Sequence, residues 1–482
     1  MTSKKHIMIS ADHGLAIVYF LQSQVVPTLL ERGIEVVLLT DGSLQEKIEE
    51  RFGREGLIFE ELRLDQAREF EETHRPEWQW WLHFLRRVGG SNRINTEAMD
   101  SYIEQVAVEQ SNWRRIWMPL AYLAIGLLRR SAWARGQLVA AQQRIRPGLY
   151  GDLFEKYKPD LVVASTAGWR LDRYLLREAA AEGIPTAAAI IGWDNPSSYS
   201  IPGAKMSYAN CWSEIQKEEL DLGSDWPPER VHIGGIPTYD GYLNGRWQLS
   251  REDYFERHGL DPSRKLLSYA SSFISFSPNF RNVKALADMV NQDQLAEPCQ
   301  LLIRLHPNHF MDVHLFRQER EQIQELAQNS EHVHVVEPVA LGGSLGHYSG
   351  EDMEEKASML AHSDVFLTVY STMVVEAAVH ERPIVSVCLD TPGGWDWPRK
   401  YSLPLSEIGG WPTHQRFRES GAGKVALTEA EAREAINHYL RNPEADLEAR
   451  RRFVEREITF TDGTAGERIG TYFADLVLGG SQ

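Results

Sequence analysis

The 482-residue chain predicts an α/β fold built as two doubly wound halves, and three observations carry that expectation. Short apolar runs alternate with helical segments in both halves, the βαβ pattern of a parallel sheet. The runs are continuously apolar rather than alternating, as strands buried on both faces must be. The chain is also longer than one ordinary core fills, so two domains are expected.

The first half opens with a strand at His6–Ser10, a helix from Ala16 to Arg32 and, after Gly33, a strand at Glu35–Thr40. A third run lies at Leu57–Leu62. Residues 66–150 then break the alternation as a helical excursion rich in Trp and Arg. Strands resume at Asp160–Ser165, Thr186–Ile191, Tyr208–Trp212 and Val231–Ile233, and the polar stretch Asn244–Ser250 reads as a linker. The N-terminal domain is therefore placed at 1–245. Runs at Leu266–Ala270, Leu301–Leu305, Val333–Val336, Val365–Val369 and Ile384–Leu389 build a second domain at 250–445. Residues 446–482 are expected to be helical and to cross back to the first domain.

Composition narrows the function. Hydrophobic residues at 43% and charged residues at 25% suit a globular protein. With 51 Lys+Arg against 68 Asp+Glu the net charge is −17, so no nucleic-acid partner is expected, since that needs a basic face. Cys211, Cys299 and Cys388 are odd in number and far apart, which suits buried thiols in a reducing, cytoplasmic compartment. The apolar run after Lys4-Lys5 ends at Ser10, too short for a secretory signal. The longest apolar stretch, Met118–Leu128, falls short of the roughly 18 residues of a membrane span.

One island departs from the acidic average. Ser111–Tyr150 holds Arg114, Arg115, Arg129, Arg130, Arg135, Arg144 and Arg146, interleaved with Trp113, Trp117 and Trp133, and no Asp, Glu or Lys. Such a composition fits a helix lying on an anionic membrane surface, giving a peripheral location at its inner face. It also fits an internal helix whose arginines pair with acids elsewhere in the chain.

Two strand ends in the second half carry the chemistry. Leu301–Leu305 stops at His306-Pro307, and the proline holds His306 extended, so its imidazole projects where it could donate to a phosphate oxygen. Arg304, two residues back, points to the same side. A surface histidine beside a loop proline is the plainer alternative. Val365–Val369 runs into Tyr370-Ser371-Thr372, where hydroxyls and free backbone N–H groups meet the start of a helix. Glu376, one turn on, could accept from a ribose diol. Capping accounts for Ser371 or Thr372, but not for Glu376 followed by Ala377-Ala378.

In the first half, Ser10-Ala11-Asp12-His13-Gly14 has a single glycine and lacks the dinucleotide fingerprint. Asp12 or His13 could act as general base toward an acceptor hydroxyl at the mouth of a cleft between domains. The alternative is a helix cap by Asp12 beside a solvated His13. In Gly192-Trp193-Asp194-Asn195, an aromatic face with flanking polar groups suits a sugar or acceptor; a structured Asn-Pro turn competes. Gly14, Trp193 and Asn195 form the expected acceptor side. No Asp-x-Asp occurs, Gly421–Lys424 lacks the Ser/Thr of a phosphate loop, and His306/His309 have no nearby third ligand. No metal and no cofactor is therefore expected.

Four groups of segments, mainly within 208–475, carry a resemblance. They are His306-Pro307; Ser363-Asp364 through Tyr370-Ser371-Thr372 to Glu376-Ala377; Gly234-Gly235-Ile236-Pro237 with Tyr239-Asp240; and Phe460-Thr461-Asp462-Gly463 with Glu467-Arg468. Together they resemble the GT-B glycosyltransferases, nearest the branch of CDP-glycerol glycerophosphotransferases and capsule polysaccharide transferases. The resemblance implies two Rossmann-like domains facing a cleft, with the C-terminal helix crossing back. It implies contacts to the donor phosphates by His306, Ser371 and Thr372 and ribose binding by Glu376; Arg304 and Tyr370 join the donor side from the strand-end reading alone. The activity implied is transfer of a glycosyl or glycerophosphate-like group from a nucleotide-activated donor to a hydroxyl acceptor, lipid-linked or polysaccharide. His13 is the first choice of base and Asp194 the second. A nucleotide-sugar 2-epimerase shares the architecture, and a non-catalytic nucleotide-sugar-binding protein is a third reading.

Overall fold

The computed structural model describes residues 4–272, 278–341, 349–390 and 403–479. The chain divides into two units. The first takes residues up to Asp240 and the segment from Ile458 onward; the second takes Gly241–Ala340 and continues to Glu457.

Unit 1 is built on seven parallel strands: β1 (Lys5–Ser10), β2 (Ile34–Thr40), β3 (Leu57–Glu61), β4 (Leu161–Ala164), β5 (Thr186–Ala189), β6 (Tyr208–Cys211) and β7 (Val231–Ile233). Their order is β3-β2-β1-β4-β5-β6-β7. Ile7 pairs with Val36 on one side and Leu161 on the other, and Ile7, Val36 and Leu161 are all buried. Helices cover both faces, which is why these runs are apolar throughout. Unit 2 has β8 (Lys265–Ala270), β9 (Cys299–Arg304), β10 (Val333–Val336), β11 (Val365–Thr368), β12 (Ile384–Val387) and β13 (Lys424–Ala426), ordered β10-β9-β8-β11-β12-β13 and again all parallel. Leu267 sits between Leu301 and Val365 at its centre.

Three expectations need correcting. The helix expected over Ala16–Arg32 breaks into Gly14–Gln22 and Val25–Glu31, bent by 41°. The Ser23 hydroxyl donates to the Tyr19 carbonyl and accepts from the Val25 N–H, while its own backbone is extended. β13, which opens on Lys424 after a glycine-rich stretch, was not expected. It begins after Gly423, where a Cβ would lie 2.7 Å from the Ile384 carbonyl oxygen, so the glycine serves strand approach. The C-terminal segment is two helices, Leu447–Ile458 in unit 2 and Ala465–Leu478 in unit 1. The second packs on Val25–Glu31 through Gly466 and Gly470; a Cβ on Gly470 would lie 2.7 Å from the Thr28 Cβ. Asp240 accepts from the Ala465 and Gly466 N–H groups at 3.0 and 2.8 Å and holds the start of that helix.

The excursion consists of α1 (Leu64–Thr73), α2 (Pro76–Val88), α3 (Glu97–Glu109), α4 (Asn112–Arg130) and α5 (Ala132–Gln143). Phe84 and Val88 of α2, Ile103 and Val106 of α3, and Met118, Ala121 and Ile125 of α4 share one small core. Island arginines pair with acids outside the island: Arg114 with Glu77, Arg129 with Asp100 and Arg135 with Asp225. Among the described residues, no single helix is long and apolar enough to cross a membrane.

Candidate functional site

Each sheet has one point where the strand order reverses, and open α/β sheets bind ligands outside the carboxyl ends of the strands there. In unit 2 the reversal lies between β8 and β11, with β9 on the far side of β8. Parallel pairing brings Ser271 after β8, His306 after β9 and Ser371 after β11 to the same sheet edge.

His306 is held by a network of buried neighbours. Its backbone N–H donates to Nδ1 of His309, whose Nε2 meets Glu319 at 3.1 Å. Glu319 and His309 are fully buried, and Glu319 also accepts from the Phe280 N–H at 2.8 Å. The Nδ1 atom of His306 accepts from the Asn308 N–H at 3.1 Å. In the neutral ring the proton is therefore on Nε2, which has no hydrogen-bond partner among the described residues. Burial, with His309 and Arg304 nearby, pushes the ring down to about 3, so near neutral pH His306 is an uncharged donor.

Ser271 is buried and its hydroxyl has no partner among the described residues. Ser371 accepts from the Met373 N–H at 3.3 Å, an ordinary cap. Thr372 precedes the seven-residue helix Met373–Val379 and its side chain caps nothing.

Three donor-side residues have a different setting from the one expected. Arg304 is 5% exposed and ion-paired with both Asp352 and Glu355; its charge answers buried acids. Tyr370 turns the chain at φ 23°, and its ring is buried 5.2 Å from His414. Glu376 is buried, with Oε2 taken by Lys356 at 2.6 Å and Tyr242 at 2.7 Å, so it does not offer an open carboxylate to a ribose. Buried acids need such partners, and these partners are remote in sequence.

In unit 1 the reversal lies between β1 and β4, and Asp12 stitches the two following loops together. Its Oδ1 accepts from Ser165 at 2.6 Å and meets Nδ1 of His13 at 2.6 Å; its Oδ2 accepts from Nε of Arg170 at 2.9 Å. Burial alone would raise this carboxyl, but His13, Arg170 and Ser165 outweigh burial and hold it well below the usual range. Asp12 is thus a fixed anion that orients His13, with Nδ1 protonated toward Asp12 and Nε2 left to accept. Asp172, buried behind Thr166, is raised by burial and by Asp12.

Gly14 is buried at the first helix start. Trp193 is 1% exposed, so its ring is not a binding face. Asn195 closes its own turn by accepting from the Gly192 N–H at 2.7 Å. Asp194, half-buried and raised by burial, accepts from Ser198 at 3.2 Å. The open space of unit 1 lies elsewhere, in a cavity of about 460 Å³ whose lining includes Asp12, Trp80, His83, Arg114, Arg170 and Arg173.

Ser271, Ser165 and Arg170 were missed in the sequence. The available signal was a serine directly after each buried apolar run. Arg170 had none, because the loop alone aims it at Asp12. Among the described residues, no three His, Cys, Asp or Glu side chains gather as a metal site.

No protein-family model and no curated protein matches the chain. Solved structures do. A Listeria monocytogenes protein assigned as a UDP-N-acetylglucosamine 2-epimerase aligns over 98% of this chain and 96% of its own at TM-score 0.54 and 12% identity. Staphylococcus aureus MnaA with UDP aligns over 98% of each chain at TM-score 0.52 and 12% identity. A glycosyltransferase from Rickettsia africae aligns over 99% of this chain and all of its own at TM-score 0.52 and 9% identity. Together with the two parallel sheets, these likenesses define the GT-B fold.

Proposed function

We propose that this chain is a nucleotide-sugar enzyme, and specifically a metal-independent GT-B transferase. It moves a sugar, or a glycerophosphate-like group, from a nucleotide-activated donor to a hydroxyl acceptor. The observation that carries the reading is the edge of the unit 2 sheet, where the unpartnered Ser271 hydroxyl borders the reversal point and a neutral His306 with an unpartnered Nε2–H follows the next strand, β9. Both are donors suited to diphosphate oxygens, and preorganised donors aimed at developing negative charge are commonly the largest catalytic contribution. Ser371 and Thr372 follow the neighbouring strand and complete the donor side.

In unit 1, His13 is the base. Asp12 holds Nδ1–H, so Nε2 takes the acceptor proton, the logic of an oriented imidazole. Asp194 is second choice, since burial raises its carboxyl toward proton-accepting range. The exposed apolar side of α4 supports a cytoplasmic protein held peripherally at an anionic membrane.

The test is incubation with UDP-, CDP-, GDP- and CMP-sugars and CDP-glycerol, with and without hydroxyl acceptors. Acceptor-dependent nucleotide release supports the transferase. An altered sugar on intact nucleotide would make it a 2-epimerase, and binding without turnover a sensor.

A further inference from the structure

The unit 1 cavity is lined by four arginines, Arg68, Arg114, Arg170 and Arg173, against three acids, Asp12, Glu71 and Glu72. Arg68, Arg114, Arg170 and Arg173 of the lining each face one carboxylate, on Asp65, Glu77, Asp12 and Glu71 respectively. Three more arginines act on the cavity through His83 and make no ion pair among the described residues, although Asp194 acts on Arg87 and Glu71 on Arg177. Arg86 is 1% exposed, donates only to the Tyr199 and Ile201 carbonyls, and leaves Nε and Nη2 unpartnered. Arg177 donates to Gly203 and Gln142, and Arg87 lies over the Tyr102 ring at 3.7 Å. His83, in the cavity wall, is pushed well down by burial and by Arg86, Arg173, Arg87 and Arg177 together. A buried cation without counter-charge, as Arg86 is, is costly, and with four arginines against three acids in its lining the cavity favours an anion.

The cavity rim continues into an apolar surface. Arg114 lines the cavity and lies over the Trp80 ring at 4.2 Å. Its neighbour Trp113 is 61% exposed, and along the same helix Ile116, Leu120, Leu123 and Leu127 are exposed as well. Trp133 of α5 is also exposed. Arg130, Arg144 and Arg146 are exposed and make no ion pair among the described residues. An apolar helix face with aromatic residues and unpaired arginines is complementary to an anionic bilayer.

We infer that the cavity takes the phosphate-bearing head of an amphiphilic acceptor, presented by an anionic membrane on which the outer face of α4 rests. This names the acceptor class and rests on the transferase reading. Asp12, which holds His13, and Arg170, which holds Asp12, both line the cavity, so a head bound there lies beside the base network.

The test uses the full chain and dodecyl phosphate below its micellar concentration, with inorganic phosphate and dodecyl maltoside as comparisons, followed by calorimetry. Dodecyl phosphate is expected to bind about tenfold or more tighter than either. Arg68→Glu, at an exposed position, should weaken it about tenfold, and Arg68→Lys should largely restore it. Phosphatidylglycerol vesicles should carry the protein in flotation at low salt, where surface attraction is least screened, and Leu123→Asp should abolish this. Equal binding of dodecyl and inorganic phosphate, or indifference to Arg68→Glu in a folded variant, would overturn the inference. So would failure to float, or a dimer that Leu123→Asp dissociates, since a second copy would then cover the face. Nucleotide titration separates the two readings. If nucleotides bind and dodecyl phosphate does not, only this inference fails; if no nucleotide binds, the transferase reading fails first.

Discussion

Replacing Arg304 by Met should unfold unit 2 more readily without touching nucleotide affinity. Arg304 is the cation between Asp352 and Glu355, and all three are buried. Asp352 already has one oxygen without a partner, and Glu355 otherwise leans on the Tyr254 hydroxyl at 3.0 Å. Methionine fills much of the volume but leaves two carboxylates in a low-dielectric interior. Breaking a buried pair by removing one partner costs about 3–5 kcal/mol. In a unit of this size, 1 kcal/mol moves the melting temperature by about 2–4 °C, so a fall of about 6–20 °C is expected. Urea and thermal unfolding followed by circular dichroism give the stability, and calorimetry gives nucleotide affinity on the folded variant. Lower pH should shrink the deficit, because burial already raises the Glu355 carboxyl and its protonation removes one uncompensated charge. Adding Asp352→Asn and Glu355→Gln should recover part of the loss. A loss below about 1 kcal/mol, or a fall in nucleotide affinity with stability intact, would refute the reasoning and return Arg304 to the phosphate.

His306→Ala should weaken nucleoside diphosphates by about tenfold while leaving nucleosides unchanged, checked by paired titrations; equal effects on both would count against a phosphate ligand. His13→Ala or Asp12→Asn should lower kcat by about 10²–10⁴-fold with nucleotide Kd unchanged, read by nucleotide release with a saturating acceptor. Acid should destabilise the protein through its buried and half-buried histidines. His306 and His414 are pushed down to about 3, and His232, His258 and His380 to about 4, chiefly by burial. Below the unfolded value of 6.5 the unfolded chain takes up protons that the folded chain refuses. Stability from these groups is therefore complete above that pH and is lost as pH falls through the folded values. His414 alone should cost about 1 kcal/mol for each pH unit below it, and His414→Phe should flatten the urea midpoint between pH 6.5 and 5.5.

The strands were legible because a parallel strand buried on both faces is apolar at every position, as Ile7-Met8-Ile9 and Leu301-Leu302-Ile303 are. The strand ends were legible for the same reason: His306 and Ser371 stand where an apolar run stops. Breaks inside helices were not, because the Ser23 hydroxyl bending Gly14–Gln22 against Val25–Glu31 looks like any helical serine. β13 hid behind a glycine-rich entry and the lysine that opens it.

The sequence alone determined the α/β class, nearly every strand, and which loops carry polar groups at strand ends, since burial and chain geometry act on near neighbours. Tertiary structure decided what those polar groups do. Arg304, Glu376 and Asp12 have their charges answered by Asp352 and Glu355, by Lys356, and by Arg170. A buried charge must find its counter-charge wherever the fold brings one, and sequence spacing does not record that meeting.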